Sequence, residues 1–236
     1  MNTLLEAIAI WEDKETKHRL LAESFSDRVN GVPILKSHRD YVETESRGFG
    51  ERAMVWLHKL LVDEMPSSFV FCELGVYRSA IVSLYAILSD LSKKNVSRIG
   101  VSPMSSEGNY LDYDYEQDAV TIHDNFGLPK DFVIIKGLST DELVLKQAAM
   151  LSPFNILYVD GGHDMQTVTF DLENYAPLIT YGGFLVVDDS ACDLHLPEGY
   201  FKGHRSVTDA VNAWAPQHPE FKFIFSVSHN RVYQRQ

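Results

Sequence analysis

The chain has 236 residues, enough for a well-buried core, with 45% apolar and 23% charged residues, an ordinary globular balance. Its 21 basic residues stand against 33 acidic ones for a net charge of −12, and no dense Lys/Arg run is present, which excludes nucleic acid as the expected partner. Cys72 and Cys192 have no metal-binding spacing, no signal-peptide pattern opens the chain, and no apolar stretch reaches the roughly 18 residues of a membrane helix. The expectation is a reduced, cytoplasmic protein with no membrane contact.

In chain order, residues 4–25 carry a helical period, and Asn30-Gly31-Val32-Pro33 reads as a turn. Residues 53–64 place Met54, Leu57, Leu60 and Leu61 on one helical face, with Pro66 as a stop. Short continuous apolar runs follow at 69–74, 99–101, 132–135, 156–159 and 184–187, as in strands covered on both faces. Helical periods at 79–91, 141–151 and 166–179 separate several of them. After a helix at 207–214, residues 221–227 and 231–233 flank Ser228-His229-Asn230 and predict an antiparallel pair at one sheet edge. The fold class is therefore α/β: a doubly wound, mostly parallel sheet with a C-terminal antiparallel strand pair and an N-terminal helical extension. One domain over 1–236 is expected, with the extension at 1–65 and the α/β core at 66–236.

Open parallel sheets bind ligands beyond the carboxyl ends of their strands. Those ends read Glu73-Leu74-Gly75, Ser102-Pro103, Lys136-Gly137, Asp160-Gly161-Gly162-His163 and Asp188-Asp189. Asp160, Asp188 and Asp189 offer hard oxygens suited to Mg²⁺, Mn²⁺ or Ca²⁺; the alternative is solvated strand ends or helix caps. His163, on the turn into the next helix, is a candidate general base, or else a histidine bonded to backbone. His123, His195, His204 and His229 read as surface or loop residues, with His195 and His204 able to border the mouth of a site. Gly75 allows a sharp bend and close approach to a ligand, and Ser79 is a candidate helix cap. The turn lacks G-x-G-x-x-G, which counts against a dinucleotide oxidoreductase.

Taken together, the sequence resembles the class I S-adenosylmethionine-dependent methyltransferases. The nearest branch is the metal-dependent one of macrocin, mycinamicin and rhamnosyl O-methyltransferases and cephalosporin-hydroxylase-like proteins. Glu73-Leu74-Gly75-Val76-Tyr77-Arg78-Ser79-Ala80 resembles its glycine turn, and Tyr158-Val159-Asp160-Gly161-Gly162-His163 its D-G-x-H motif. The stretch from Tyr175-Ala176-Pro177-Leu178 through Gly182-Gly183-Phe184 to Asp188-Asp189 resembles its block ending in D-D. The likeness covers about residues 69–190, and Gly31-Val32-Pro33-Ile34-Leu35-Lys36 is similar to a lead-in motif.

This resemblance implies S-adenosylmethionine as cofactor, contacted by Glu73, Gly75, Tyr77, Ser79, Ser102, Gly137 and Ser139. It implies Mg²⁺ or another divalent ion on Asp160, Asp188 and Asp189, with His163 as catalytic base. The expected activity is O-methylation of a small polyhydroxylated acceptor, a sugar or glycoside, in a possible homo-oligomer. The alternative is a protein of the same fold that keeps the metal site for another enzymatic or binding role. The chain departs from the pattern at Ser102, where an acidic residue takes the ribose hydroxyls, at Leu138 and at Ser79. Losing such a carboxylate costs roughly 1.5–3 kcal/mol, the scale of hydrogen bonds to charged groups. Glu107 is a candidate substitute. Tyr110, Tyr113, Tyr115, Tyr200 and Phe201 are rings that can stack on a sugar or fill the loop core.

Overall fold

The computed structural model describes residues 1–105 and 113–236. Each apolar run forms the middle of a strand: β1 (Ser68–Leu74), β2 (Asn95–Ser102), β3 (Phe132–Lys136), β4 (Phe154–Val159) and β5 (Ile179–Val187). With β6 (Phe221–Val227) and β7 (Asn230–Arg235) they make a sheet of order β3-β2-β1-β4-β5-β7-β6. The first five strands run parallel, and β7 is antiparallel to both β5 and β6. The expected fold class and C-terminal antiparallel pair are as observed.

Continuous apolarity follows from the pleat, which sends alternate residues to opposite faces. Phe71, Ile156, Tyr158, Phe184 and Val186 join one buried cluster, while Cys72, Leu157, Val159, Leu185 and Val187 join the other. The helices α1 (Leu4–Ile10), α2 (Glu15–Gly31), α4 (Arg52–Glu64) and α5 (Ala80–Ser92) supply the first cluster. The helices α7 (Glu142–Met150), α8 (Met165–Tyr175) and α9 (Arg205–Trp214) supply the second. Two further helices, α3 (Pro33–Thr44) and α6 (Tyr115–Asn125), pack beside α5.

Asn30 to Pro33 is not the open turn expected from its composition. Helix α2 continues through Gly31 and α3 begins at Pro33, with only the extended Val32 between them. Proline lacks an N–H that a first helical residue does not need, and it holds the residue before it extended. No helix among the described residues is long and apolar enough to cross a membrane.

What positions the site is the register of strand ends. Val159 pairs with Val187, and the ladder runs one step further: Asp160 N–H donates to Leu74 O at 2.9 Å and Asp188 N–H to Val159 O at 3.0 Å. Gly75 N–H donates to Val101 O at 2.9 Å and Gly137 N–H to Ser102 O at 3.1 Å. Because β7 is reversed, the turn joining β6 to β7 falls at this same edge, where Ser190 N–H donates to His229 O at 2.9 Å.

Candidate active site

A cavity of about 840 Å³ opens beyond these strand ends. On its β1 side Glu73 is 2% exposed, with one carboxylate oxygen buried and unpartnered. Burial pushes its pKa up to about 8. Gly75 has φ 94°, and a Cβ there would run into the carbonyl oxygen of Asp160, so only glycine fits the crossing of the two turns. Arg78 and Ser79 also have positive φ, 47° and 61°. Arg78 reaches Asp118 at 2.5 Å and the carbonyls of Glu45 and Ser46 at 3.0 Å, binding the turn to the segment before α4. Ser79 stands at the start of α5, but its side chain makes no capping bond and lies buried behind the cavity wall.

Tyr77 lines the cavity with Phe49, ring centroids 5.1 Å apart, and packs edge-on against Tyr115 at 5.4 Å. Ser102, also on the cavity, spends its hydroxyl on backbone groups. It donates to Val76 O at 3.1 Å and accepts from Met104 N–H at 3.1 Å. Gly137, Leu138 and Ser139 complete this wall, and Ser139 O accepts from Tyr175 at 2.9 Å. Glu107 and Tyr110 lie outside the described residues.

The opposite wall is acidic. Asp188 accepts from the Tyr158 hydroxyl at 2.8 Å and pairs through Oδ1 with His229 Nε2 at 3.0 Å. Asp189 has φ 55° and divides its oxygens: Oδ1 lies 3.7 Å from His229 Nε2, while Oδ2 lies 3.2 Å from His163 Nε2 and 3.5 Å from His204 Nε2. Burial, then Asp188, Glu73 and Asp189, hold Asp160 well above the usual carboxylate range. Burial and Asp188 push Asp189 up to about 6. Burial opposes ionisation of Asp188, but His229 and Tyr158 outweigh it and leave its pKa below normal. Burial likewise opposes the charge on His229, yet Asp188 and Glu51, the latter 3.1 Å from Nδ1, raise it to about 11. His163 is shifted down by burial and by His204, whose ring stacks on it at 4.3 Å.

Of the residues expected from the sequence, Glu73, Gly75, Tyr77, Ser102, Gly137, Ser139, Asp160, His163, Asp188 and Asp189 all line this one cavity, and Ser79 does not. His229, expected at the surface, is 2% exposed and part of the acidic wall; His123, expected likewise, is buried and bonded to Ala119 O and Arg98. His204, expected at the mouth, lines the cavity, whereas His195, expected there too, is bonded to Asp13 and does not line it; Glu51 and Phe49 also line the cavity. No local motif marks them, because the fold alone brings them to the strand ends.

A family model described as a methyltransferase domain matches residues 72–190, from the end of β1 to just past β5. The chain belongs to that methyltransferase family. No curated protein sequence matches it closely enough to be counted. Among solved structures the methyltransferase is similar to CalS11, a TDP-rhamnose 3′-O-methyltransferase of calicheamicin biosynthesis, at 14% identity and a TM-score of 0.56, over 96% of this chain and 97% of that one. It is similar to an O-methyltransferase from Bacillus cereus in complex with SAH at 12% identity and a TM-score of 0.58, over 86% and 91%. MycE of mycinamycin biosynthesis, in complex with Mg, SAH and mycinamycin VI, matches at 14% and 0.51, over 80% of this chain and half of the other. At such identities the likeness shows a shared fold.

Proposed function

We propose that this methyltransferase uses S-adenosylmethionine and a divalent cation, Mg²⁺ or a similar ion, to methylate a hydroxyl of a small polyhydroxylated acceptor, a sugar or glycoside. One observation carries the reading: a single cavity holds the buried carboxyl of Glu73, one oxygen of which has no partner, and next to it the carboxyls of Asp160, Asp188 and Asp189 with His163. CalS11, a TDP-rhamnose 3′-O-methyltransferase, and MycE, in complex with mycinamycin VI, support a sugar-bearing substrate.

The donor set fits a hard cation. Asp160, Asp188 and Asp189 offer only oxygen, and burial together with mutual repulsion raises Asp160 and Asp189, a cost that a bound cation relieves. When bound, S-adenosylmethionine supplies an electrophilic methyl group, and the cation supplies Lewis acidity at the acceptor hydroxyl. The chain's own part is binding, orientation and proton removal. Glu73 would hold the cationic end of the cofactor, and Gly75 would leave room for it at the turn. Asp189 holds the Nε2 edge of His163, whose depressed pKa keeps the imidazole neutral and able to accept the acceptor's proton. Both cysteines are free, which supports a reducing cytoplasmic setting.

Calorimetric titration with S-adenosylmethionine and S-adenosylhomocysteine, with and without Mg²⁺, tests the reading; both are expected to bind. His163→Ala should lower turnover by about 10²–10⁴-fold, with Mg²⁺ affinity near wild type. Ser102 favours one second reading. Its hydroxyl is already engaged, so a folded, cation-loaded protein that binds neither cofactor at millimolar concentration would be a methyltransferase-fold protein with another role for the acidic site.

A further inference from the structure

At the mouth of the cavity, His163, Asp189 and His204 form a cluster distinct from the Asp188, Asp189 and His229 group behind them. One donor atom from each lies within 4.8 Å of the others. His163 Nε2 and His204 Nε2 converge on the same oxygen, Asp189 Oδ2, at 3.2 and 3.5 Å. Two imidazole nitrogens and a carboxylate oxygen at bond lengths of about 2.0–2.2 Å from one tetrahedral ion stand about 3.3–3.5 Å apart, close to the spacing on Asp189 Oδ2, and the two rings, stacked with 18° between their planes, need to turn apart to aim both nitrogens at the ion. Backbone contacts set the cluster in place. His204 N–H donates to Asp189 O at 2.9 Å, Ser206 Oγ donates to His163 O at 2.5 Å, and Gly203 packs where a Cβ would strike the Asp189 backbone. Both histidine rings are partly exposed, with side-chain exposures of 37% and 46%, so an ion can enter from solvent.

We propose that His163, His204 and Asp189 Oδ2 form a second cation site, which takes a borderline transition ion of the Zn²⁺, Co²⁺ or Ni²⁺ class. Imidazole nitrogen selects such ions over Mg²⁺, which keeps to oxygen and water. Asp189 serves both sites, with Oδ1 turned to the hard-cation side and Oδ2 to the nitrogens. A clause of the proposal rests on the reading of His163 as base: an ion on its Nε2 fixes the ring and draws off its basicity, so Zn²⁺ inhibits methyl transfer.

The test uses the full chain, titrated with Zn²⁺ against a chromophoric chelator in millimolar Mg²⁺, and with Co²⁺ followed by its visible absorption. The expected result is one Zn²⁺ per chain and a Co²⁺ band of nitrogen-ligated form. His204→Ala and, separately, His163→Asn should weaken Zn²⁺ by at least about 100-fold, since even outer partners of metal ligands cost up to that order. Asp188→Asn, outside the cluster, should keep Zn²⁺ affinity within about tenfold, at the low end of that range. The site is refuted if Zn²⁺ affinity is unchanged in both histidine variants, or falls as far in Asp188→Asn, each variant first shown folded by circular dichroism. These readouts need no turnover, so they stand apart from the failure of the methyltransferase reading. Zn²⁺ bound at the site with methyl transfer undiminished overturns the inhibitory clause alone.

Discussion

At about 8, the pKa of Glu73 lies far above the 4.5 of an ordinary glutamate, and the cause is burial, which a backbone hydrogen bond at Val82 offsets only in part. Between those values the folded chain keeps a proton that the unfolded chain has released. Stability therefore falls as pH rises through this window, by at most about 1.4 kcal/mol per pH unit from this group. Glu73→Gln should raise Tm near pH 8, flatten the pH dependence of stability above about pH 5, and weaken cofactor binding. A thermal melt series across pH, with calorimetry at one pH, reads both effects. Equal Tm–pH slopes in the two proteins would show that Glu73 ionises elsewhere. The sequence made Glu73, Asp160, Asp188 and Asp189 legible because each ends an apolar run, and strand ends carry ligands in this architecture. His229 was illegible for the converse reason. It sits in a hairpin turn, and only the pairing of β7 with β5 carries it to Asp188.

Strands were easier to read than the segments joining them. Two-sided burial writes itself as unbroken apolarity in β1, β4 and β5, whereas α6 buries only Tyr115, Asp118, Ala119, Ile122 and His123, too mixed a set to stand out. The connection from β5 to α9 shows how much a loop can decide. Gly199 and Gly203 both have positive φ, 82° and 86°, but a Cβ at Gly199 meets open space and one at Gly203 meets the Asp189 backbone. Gly199→Ala should cost about 1 kcal/mol, the scale of a left-handed strain at one residue. Gly203→Ala should cost clearly more and, by displacing His204 and Asp189, weaken cation binding as well. Chemical denaturation and a Mg²⁺ titration of the two variants separate the cases; equal losses would mean that the loop yields without moving Asp189.

Over the whole molecule, the helical extension and the sheet share one buried cluster: Leu21, Phe25, Leu57 and Leu61 pack into the same core as Phe71, Tyr158 and Phe225. Glu51 adds an ion pair to His229, and Arg39 holds the Phe49–Gly50 backbone at the cavity wall. We propose from this that residues 1–65 and 66–236 unfold as one domain. Scanning calorimetry should give a single transition whose calorimetric and van't Hoff enthalpies agree, moved upward by Mg²⁺. Asp188→Ala should abolish the Mg²⁺ shift. Two separable transitions would instead make the extension an independent unit.

The strand order has a consequence for amide hydrogen exchange. The acidic wall grows from β4 and β5, each flanked by a strand on both sides, whereas Gly137, Leu138 and Ser139 follow β3, a five-residue strand with a single neighbour. Interior strands open only with large parts of the molecule, while edges fray alone. Amides in β4 and β5 should therefore exchange far more slowly than those in β3. A cation then meets ligands already fixed in place, while a nucleoside bound against the β3 side must still its wall as it enters. Cofactor binding should slow exchange mostly around β3 and leave the interior strands almost unchanged.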